Sequence, residues 1–285
     1  MTQHPSFGGP WTQEKLDILS QYLDEYTTAL KNQPFRLTYI DAFAGSGSYQ
    51  TGTTEPDNSY LDFDELRRGS AQIALQVDDK PFDRLVYIEK NPEFAASLNT
   101  IRLQNPSRKI EVIEGDANLQ LPVLCEAMRS NERAVMFLDP YKTEVDWPTV
   151  ELIAKTEKID CWILFPLMAL TRMMDRDERP NESLALELDR VFGGREYWEP
   201  QMYQRAEQQS LFGGKELVVR APQDRIAQLY RDRLATIFAD LAPTRRILRN
   251  TRNSPQFELI FAVASRNPRA KALAIRISDY ILKKW

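Results

Sequence analysis

Short apolar runs alternate with amphipathic stretches along most of the chain. Leu16, Leu19, Leu23, Tyr26 and Leu30 recur at steps of three and four, which places them on one face of a helix. Thr12 is the expected N-cap of that helix, Glu14 its first-turn acid and Leu30 its approximate end. A short buried strand follows, carried by Leu37, Tyr39 and Ile40 and ending in Asp41. Further strands are expected at Arg84–Glu89, Ile110–Glu114, Ala134–Leu138 and Asp160–Phe165. The run Ala134–Leu138 is apolar throughout, as a central parallel strand covered on both faces must be. Helices are expected from Ser70, from Asn91-Pro92 to about Leu103, over Leu121–Met128 and over Trp147–Ala154. This alternation predicts an α/β fold with a mostly parallel sheet and right-handed crossovers.

The pattern breaks twice. Residues 50–69 are polar and acidic without a clean period and read as an inserted loop. Residues 167–220 are charged and carry methionines, aromatics and two Gly-Gly pairs; they read as a mostly helical insertion after the fifth strand. Pro222 then starts a helix to about Leu241. Late strands at Arg246–Arg249 and Phe257–Ala264, joined by Asn250–Pro255, form a hairpin closing one edge of the sheet, and a last helix begins near Pro268. With no internal repeat, residues 1–285 read as one domain with embellishments.

The formal net charge is -4, which excludes a globally basic nucleic-acid binder. No apolar run reaches the roughly 18 residues of a membrane span. MTQHPSFGGPWTQEK lacks a basic-then-apolar signal, so a cytoplasmic location is expected. Cys125 and Cys161 lie far apart in apolar surroundings and read as buried small hydrophobes. His4 is the single histidine, which argues against histidine triads and histidine-rich metal sites.

Arg36–Tyr49 (RLTYIDAFAGSGSY) reads as strand, acid and glycine turn. Gly45 and Gly47 suit a turn that needs positive φ or close approach of a ligand to the backbone. Two glycines after a strand also make ordinary tight turns, so the stretch alone leaves both readings open. Three more strand ends carry distinctive groups: Glu89, Asp116 and Asp139-Pro140-Tyr141. Each acid singly could be a helix cap. All four on the edge where open α/β sheets bind ligands suit an adenosine cofactor. Glycines admit the backbone, Glu89 takes the ribose hydroxyls and Asp116 accepts from the adenine amino group. Glu89 lies about 42 positions after Gly47, against roughly 20 in a dinucleotide fingerprint, and the third glycine is missing. Nicotinamide and flavin cofactors are therefore disfavoured. No Gly-Lys-Ser/Thr follows the turn, so it is not a P-loop.

Asp41-Ala42-Phe43-Ala44-Gly45-Ser46-Gly47 resembles the D-x-F-x-G-S-G turn of S-adenosylmethionine-dependent amino methyltransferases. Asp139-Pro140-Tyr141 resembles their D/N-P-P-Y/F motif with one proline missing. The ordered set YIDAFAGSG, GSAQIAL, VYIEKNP, GDAN, FLDPYKTEVDW and QFELIFAVAS is similar to the three-Cys-motif partner protein family, over roughly residues 11–265. The resemblance implies a Rossmann-like class I methyltransferase sheet and a partner protein bearing a three-cysteine motif. It implies S-adenosylmethionine held by Asp41, Gly45 and Gly47 at the methionine, Glu89 at the ribose and Asp116 at the adenine, with Phe43, Ala44 and Ala117 beside them. It also implies a target surrounded by Asp139, the Pro140 carbonyl and Tyr141. The missing proline leaves a second option open, an oxygen acceptor with Asp139 as general base.

The last fifth of the chain is basic. Arg245, Arg246, Arg249, Arg252, Arg266 and Arg269 suggest either a solvated hairpin and helix face or a phosphate-backbone surface. Trp147, Trp162 and Tyr197 read as packing residues, with Trp198 the best candidate for a stacking platform. Met168, Met173 and Met174 read as core. The functional expectation is a methyltransferase acting on an amino group, nucleobases included. The rival is a non-catalytic scaffold that keeps the fold, and a hydrolase is disfavoured because no carboxylate cluster sits with lysine at short spacing.

Overall fold

The structure, a computed structural model, describes residues 10–46, 69–205 and 218–285. Five parallel strands form its centre: β1 (Arg36–Asp41), β2 (Arg84–Glu89), β3 (Ile110–Glu114), β4 (Glu132–Leu138) and β5 (Ile159–Phe165). Their spatial order is β3-β2-β1-β4-β5, so the winding direction reverses between β1 and β4. A separate two-stranded sheet pairs β6 (Tyr203–Arg205) with β7 (Val218–Arg220), and the main sheet is completed by three late strands. Of these, β10 (Pro255–Val263) runs antiparallel along β5, and its outer edge takes both β8 (Asp240–Leu241) and β9 (Arg246–Arg249). This is the expected α/β, Rossmann-like sheet, mostly parallel with an antiparallel hairpin edge.

Alternate side chains of the central strands feed two apolar layers. Tyr39, Val135, Phe137 and Trp162 pack under α1 (Pro10–Leu30), a helix over residues 69–75 (α2), α3 (Pro92–Gln104) and α10 (Pro268–Lys284). Ile40, Met136, Cys161 and Ile163 pack on the other face. That face is covered by α4 (Ala117–Ala127), α5 (Trp147–Lys155), α6 (Leu167–Met173), α7 (Glu182–Phe192), α8 (Arg195–Met202) and α9 (Gln223–Leu234). Phe137 and Phe261 are fully buried, and truncating either to alanine should cost about 3–5 kcal/mol.

The cap chemistry explains where several helices begin. Asn91 accepts from the Glu93 and Phe94 amides with Pro92 at the first helical position, and Asn267 with Pro268 repeats the arrangement at α10. Three expected boundaries move by more than two residues. α1 begins at Pro10, upstream of Thr12, since proline fits the first helical turn. α4 begins at Ala117 rather than Leu121, because Asp116 caps it. α9 stops at Leu234 rather than near Leu241; the amides of Ile237 and Phe238 close on Leu234, and Asp240–Leu241 is drawn onto the edge of β10. Both cysteines are buried and unpaired, as expected. Gly47, Gly213-Gly214 and all but the last residue of the 50–69 insertion lie outside the described residues. Among the described residues, no helix is long and apolar enough to cross a membrane.

Candidate active site

The fold brings the singled-out acids to one edge. Asp41 and Glu89 end β1 and β2, while Asp116 and Asp139 follow β3 and β4. Next to the switch point lies a cleft of about 210 Å3 whose walls include Ala42, Phe43, Ile88, Glu89, Asp116 and Ala117. A second, open cleft of about 500 Å3 shares Glu89, Lys90 and Glu144 with it and reaches Tyr141.

Glu89 is the hinge of this edge. It is only 5% exposed, and its two oxygens each accept a backbone amide at 2.8 Å, from Gly45 and from Asn91. The acid thereby ties the β1 turn to the end of β2. Each oxygen keeps a second lone pair for a ligand hydroxyl. Gly45 has φ 60°, a left-handed conformation that glycine adopts without strain. Its amide is committed to Glu89, so it shapes the turn rather than presenting a donor. Ala44, whose amide bonds the Ile88 carbonyl at 3.0 Å, is fully buried and fixes the same turn. Asp116 serves as the N-cap of α4, accepting from the Asn118 amide at 2.9 Å, and its Oδ2 meets Lys90 at 3.2 Å.

A buried charge cluster lies behind the turn. The Lys15 ammonium sits 2.7 Å from Asp139 Oδ2 with its side chain 0% exposed, and 5.2 Å from the centre of the Phe137 ring. Asp41 is fully buried near them. Burial, the largest cause, pushes its carboxyl up to about 7, and the charge of Asp139 adds to this; the Ser70 hydroxyl, the Phe43 amide and Lys15 pull the other way. Two carboxyls thus share one lysine, and Asp41 holds its proton into the neutral range. Lys15 carried a signal that sequence reasoning passed over: it stands one turn before Leu19 on the buried stripe of α1.

The loop carrying Asp139-Pro140-Tyr141 is gripped from two sides. From α4, Asn118 donates to the Glu144 carbonyl at 2.6 Å and accepts from the Asp146 amide and the Thr149 hydroxyl at 3.0 and 2.9 Å. From α7, Arg190 binds Asp146 at 2.7 Å and Glu187 accepts from Thr143 at 3.3 Å. Gly193, at φ 78°, closes α7 against Trp147; a Cβ there would lie 2.4 Å from the indole. Arg233 stacks between Trp147 and Tyr197 at 5.0 and 4.2 Å. The Asn of GDAN and Arg190 are site residues that sequence reasoning did not single out. Trp198 is no platform: it is fully buried, and its Nε1 donates to Asp189 at 2.7 Å.

Several basic-tail arginines are occupied internally. Arg245 and Arg231 hold the fully buried Glu258, Arg246 pairs with Glu14 on α1, and Arg266 binds Glu157 at 2.8 Å. Arg249, Arg252 and Arg269 are exposed.

The residues at the edge fit an adenosine-type cofactor in chemistry. Glu89 and Asp116 are acceptors for hydroxyl and amino groups, and Ala42, Phe43 and Ile88 supply an apolar wall. Among the described residues, no group of three or more His, Cys, Asp or Glu could hold a metal ion.

No family model matches the chain, and no curated protein matches it. Solved structures do resemble it. A Legionella pneumophila protein, LPL1258, is 12% identical with TM-score 0.46, covering 93% of this chain and 91% of its own. WbdD, in complex with the kinase inhibitor LY294002, is 12% identical with TM-score 0.43 over 88% of this chain, which spans only 40% of WbdD. The N-terminal domain of EvdMO1 with SAH bound is 8% identical with TM-score 0.36, covering 86% of this chain and 80% of that one.

Proposed function

We propose that the protein is an S-adenosylmethionine-dependent methyltransferase acting on an amino group, with nucleobases as the favoured acceptor class. The carrying observation is that Glu89, Asp116 and Tyr141 line adjoining clefts at the carboxyl edge of the sheet, with Asp139 and Pro140 buried immediately before Tyr141. Glu89 and Asp116 would hold the ribose and adenine. When bound, the cofactor supplies an electrophilic methyl group. Asp139 and the Pro140 carbonyl would accept the N–H groups of the target and direct its lone pair, while the Tyr141 ring would stack on the base. Positioning of this kind supplies most of the rate advantage in such transfers. Lys15 takes Asp139 Oδ2, so the target's N–H would meet Oδ1. The Asn118 and Arg190 contacts hold the loop in register with the cleft.

The test is transfer of labelled methyl groups to DNA, RNA and free nucleosides by wild type and Asp139→Ala. The reading expects transfer by wild type and a loss of about a hundredfold or more in the variant, with cofactor affinity retained. A second reading has its own support. Asp139 is only 5% exposed and already paired, as a purely structural acid would be. On that reading the chain is a non-catalytic partner of a three-cysteine-motif protein. Cofactor binding without transfer to any acceptor, the partner included, would favour it.

A further inference from the structure

A different cleft lies at the opposite edge of the sheet, under the amino ends of β4 and β5, between α1 and α10. It encloses about 400 Å3, within the range of small-molecule sites. Its floor is polar at one point: the Tyr22 hydroxyl donates to Asp160 Oδ2 at 2.8 Å. Tyr26 and Leu30 of α1 and Leu273 and Ile277 of α10 make apolar walls. Nothing in the proposed methyl transfer uses this space.

The charge around the opening is one-sided. Arg133, Lys158 and Arg269 all line it. The Arg133 guanidinium is stacked 4.1 Å from the Phe35 ring centre, and its Nη1 is spent on the Ser130 and Glu132 carbonyls. Lys158 gives one hydrogen to the Met128 carbonyl at 2.9 Å, out of three that an ammonium carries. α10 begins at the same rim, with Asn267 capping the Arg269 and Ala270 amides, so the positive end of the helix adds to the field. Against these stands one carboxyl, Asp160. Burial pushes it up to about 7, opposed by the Tyr22 bond and the Arg133 charge, so it is partly neutral near pH 7.

We propose that this cleft binds a small monoanion with a hydrocarbon body, its head at the Arg133, Lys158 and Arg269 rim and its body between Tyr26 and Leu273. The proposal does not depend on the methyltransferase reading.

The test titrates the full chain with anilinonaphthalene sulfonate, followed by competition with octanoate and octylammonium. One saturable site is expected, displaced by octanoate and not by octylammonium at equal concentration. Ala29→Trp and Ala270→Trp each push an indole into the opening from opposite walls at exposed helical positions. Each should weaken probe binding by about tenfold or more with thermal unfolding unchanged. Arg269→Glu should weaken octanoate by about fivefold, the effect of one reversed charge near a surface. Equal displacement by octylammonium, undiminished binding in both tryptophan variants, or no saturable site overturns the proposal.

Discussion

Lys15 and Asp139 stand 124 positions apart in the sequence and 2.7 Å apart in the fold, with side chains 0% and 7% exposed. The pair fastens the first helix to the end of β4, at the residue proposed to meet the target. Lys15→Met strands a buried carboxylate, and urea unfolding should register a loss of about 3–5 kcal/mol. Lys15→Met/Asp139→Leu removes both charges and should regain most of that loss. Neither variant should transfer methyl groups, because the acceptor oxygen is misplaced in one and absent in the other. A double variant no more stable than the single would show that the lysine matters for packing alone.

Asp41 and Asp160 both have carboxyls pushed up to about 7, mainly by burial. An acid whose folded pKa is raised binds its proton more tightly folded than unfolded. Its stabilising effect is complete below the unfolded value near 4 and is lost as pH rises through about 7. The unfolding free energy contributed by these groups should therefore fall between pH 4 and pH 7. Asp41→Asn and Asp160→Asn should each flatten that fall relative to wild type in urea titrations at a series of pH values. Profiles parallel to wild type would contradict the assignment.

Asn118 spans the loop after β4 with three hydrogen bonds. Asn118→Ala should raise amide exchange across residues 139–147 while leaving β1 and β2 protected. Arg190→Ala should do the same more weakly, since its ion pair with Asp146 is partly exposed and worth about 1 kcal/mol or less. Unchanged exchange in both variants would show that neither α4 nor α7 holds the site loop.

The basic C-terminal region should behave as a weak anion surface. Arg245, Arg246 and Arg266 are paired with Glu258, Glu14 and Glu157, the last pair at the surface, and Arg249, Arg252 and Arg269 are exposed. Binding to a nonspecific DNA duplex should then depend on salt with a logarithmic slope of roughly -2 to -3, three contacts at about -0.9 each. A slope near -5 would require contacts beyond these three arginines.

Much of the strand layout was legible because short, largely apolar runs, interrupted by Thr38 in β1 and Glu111 in β3, sit between punctuating residues. Arg84–Glu89 and Ile110–Glu114 begin and end where expected. The edge carrying Asp41, Glu89, Asp116 and Asp139 followed from the same alternation. The end of α9 was not legible, because Ile237 and Phe238 continue an apolar helical pattern that only the edge of β10 interrupts. Lys15 escaped notice because a lysine on an apolar stripe reads as a long side chain reaching for water; its partner is visible only in three dimensions. Arg190 and Asn118 belong to the site through contacts spanning 26 to 44 positions, which no local pattern encodes. Asp116 shows the limit of motif reasoning, since it lies at the cleft and caps a helix at once.

The most direct measurement is calorimetric titration of wild type, Glu89→Ala and Asp160→Asn with S-adenosylmethionine and its demethylated product. A cofactor seated at the ends of β1 and β2 predicts saturable binding by wild type and by Asp160→Asn, and loss of binding by folded Glu89→Ala. Undiminished binding by Glu89→Ala, or none by wild type alone and with a three-cysteine-motif partner, would contradict the account.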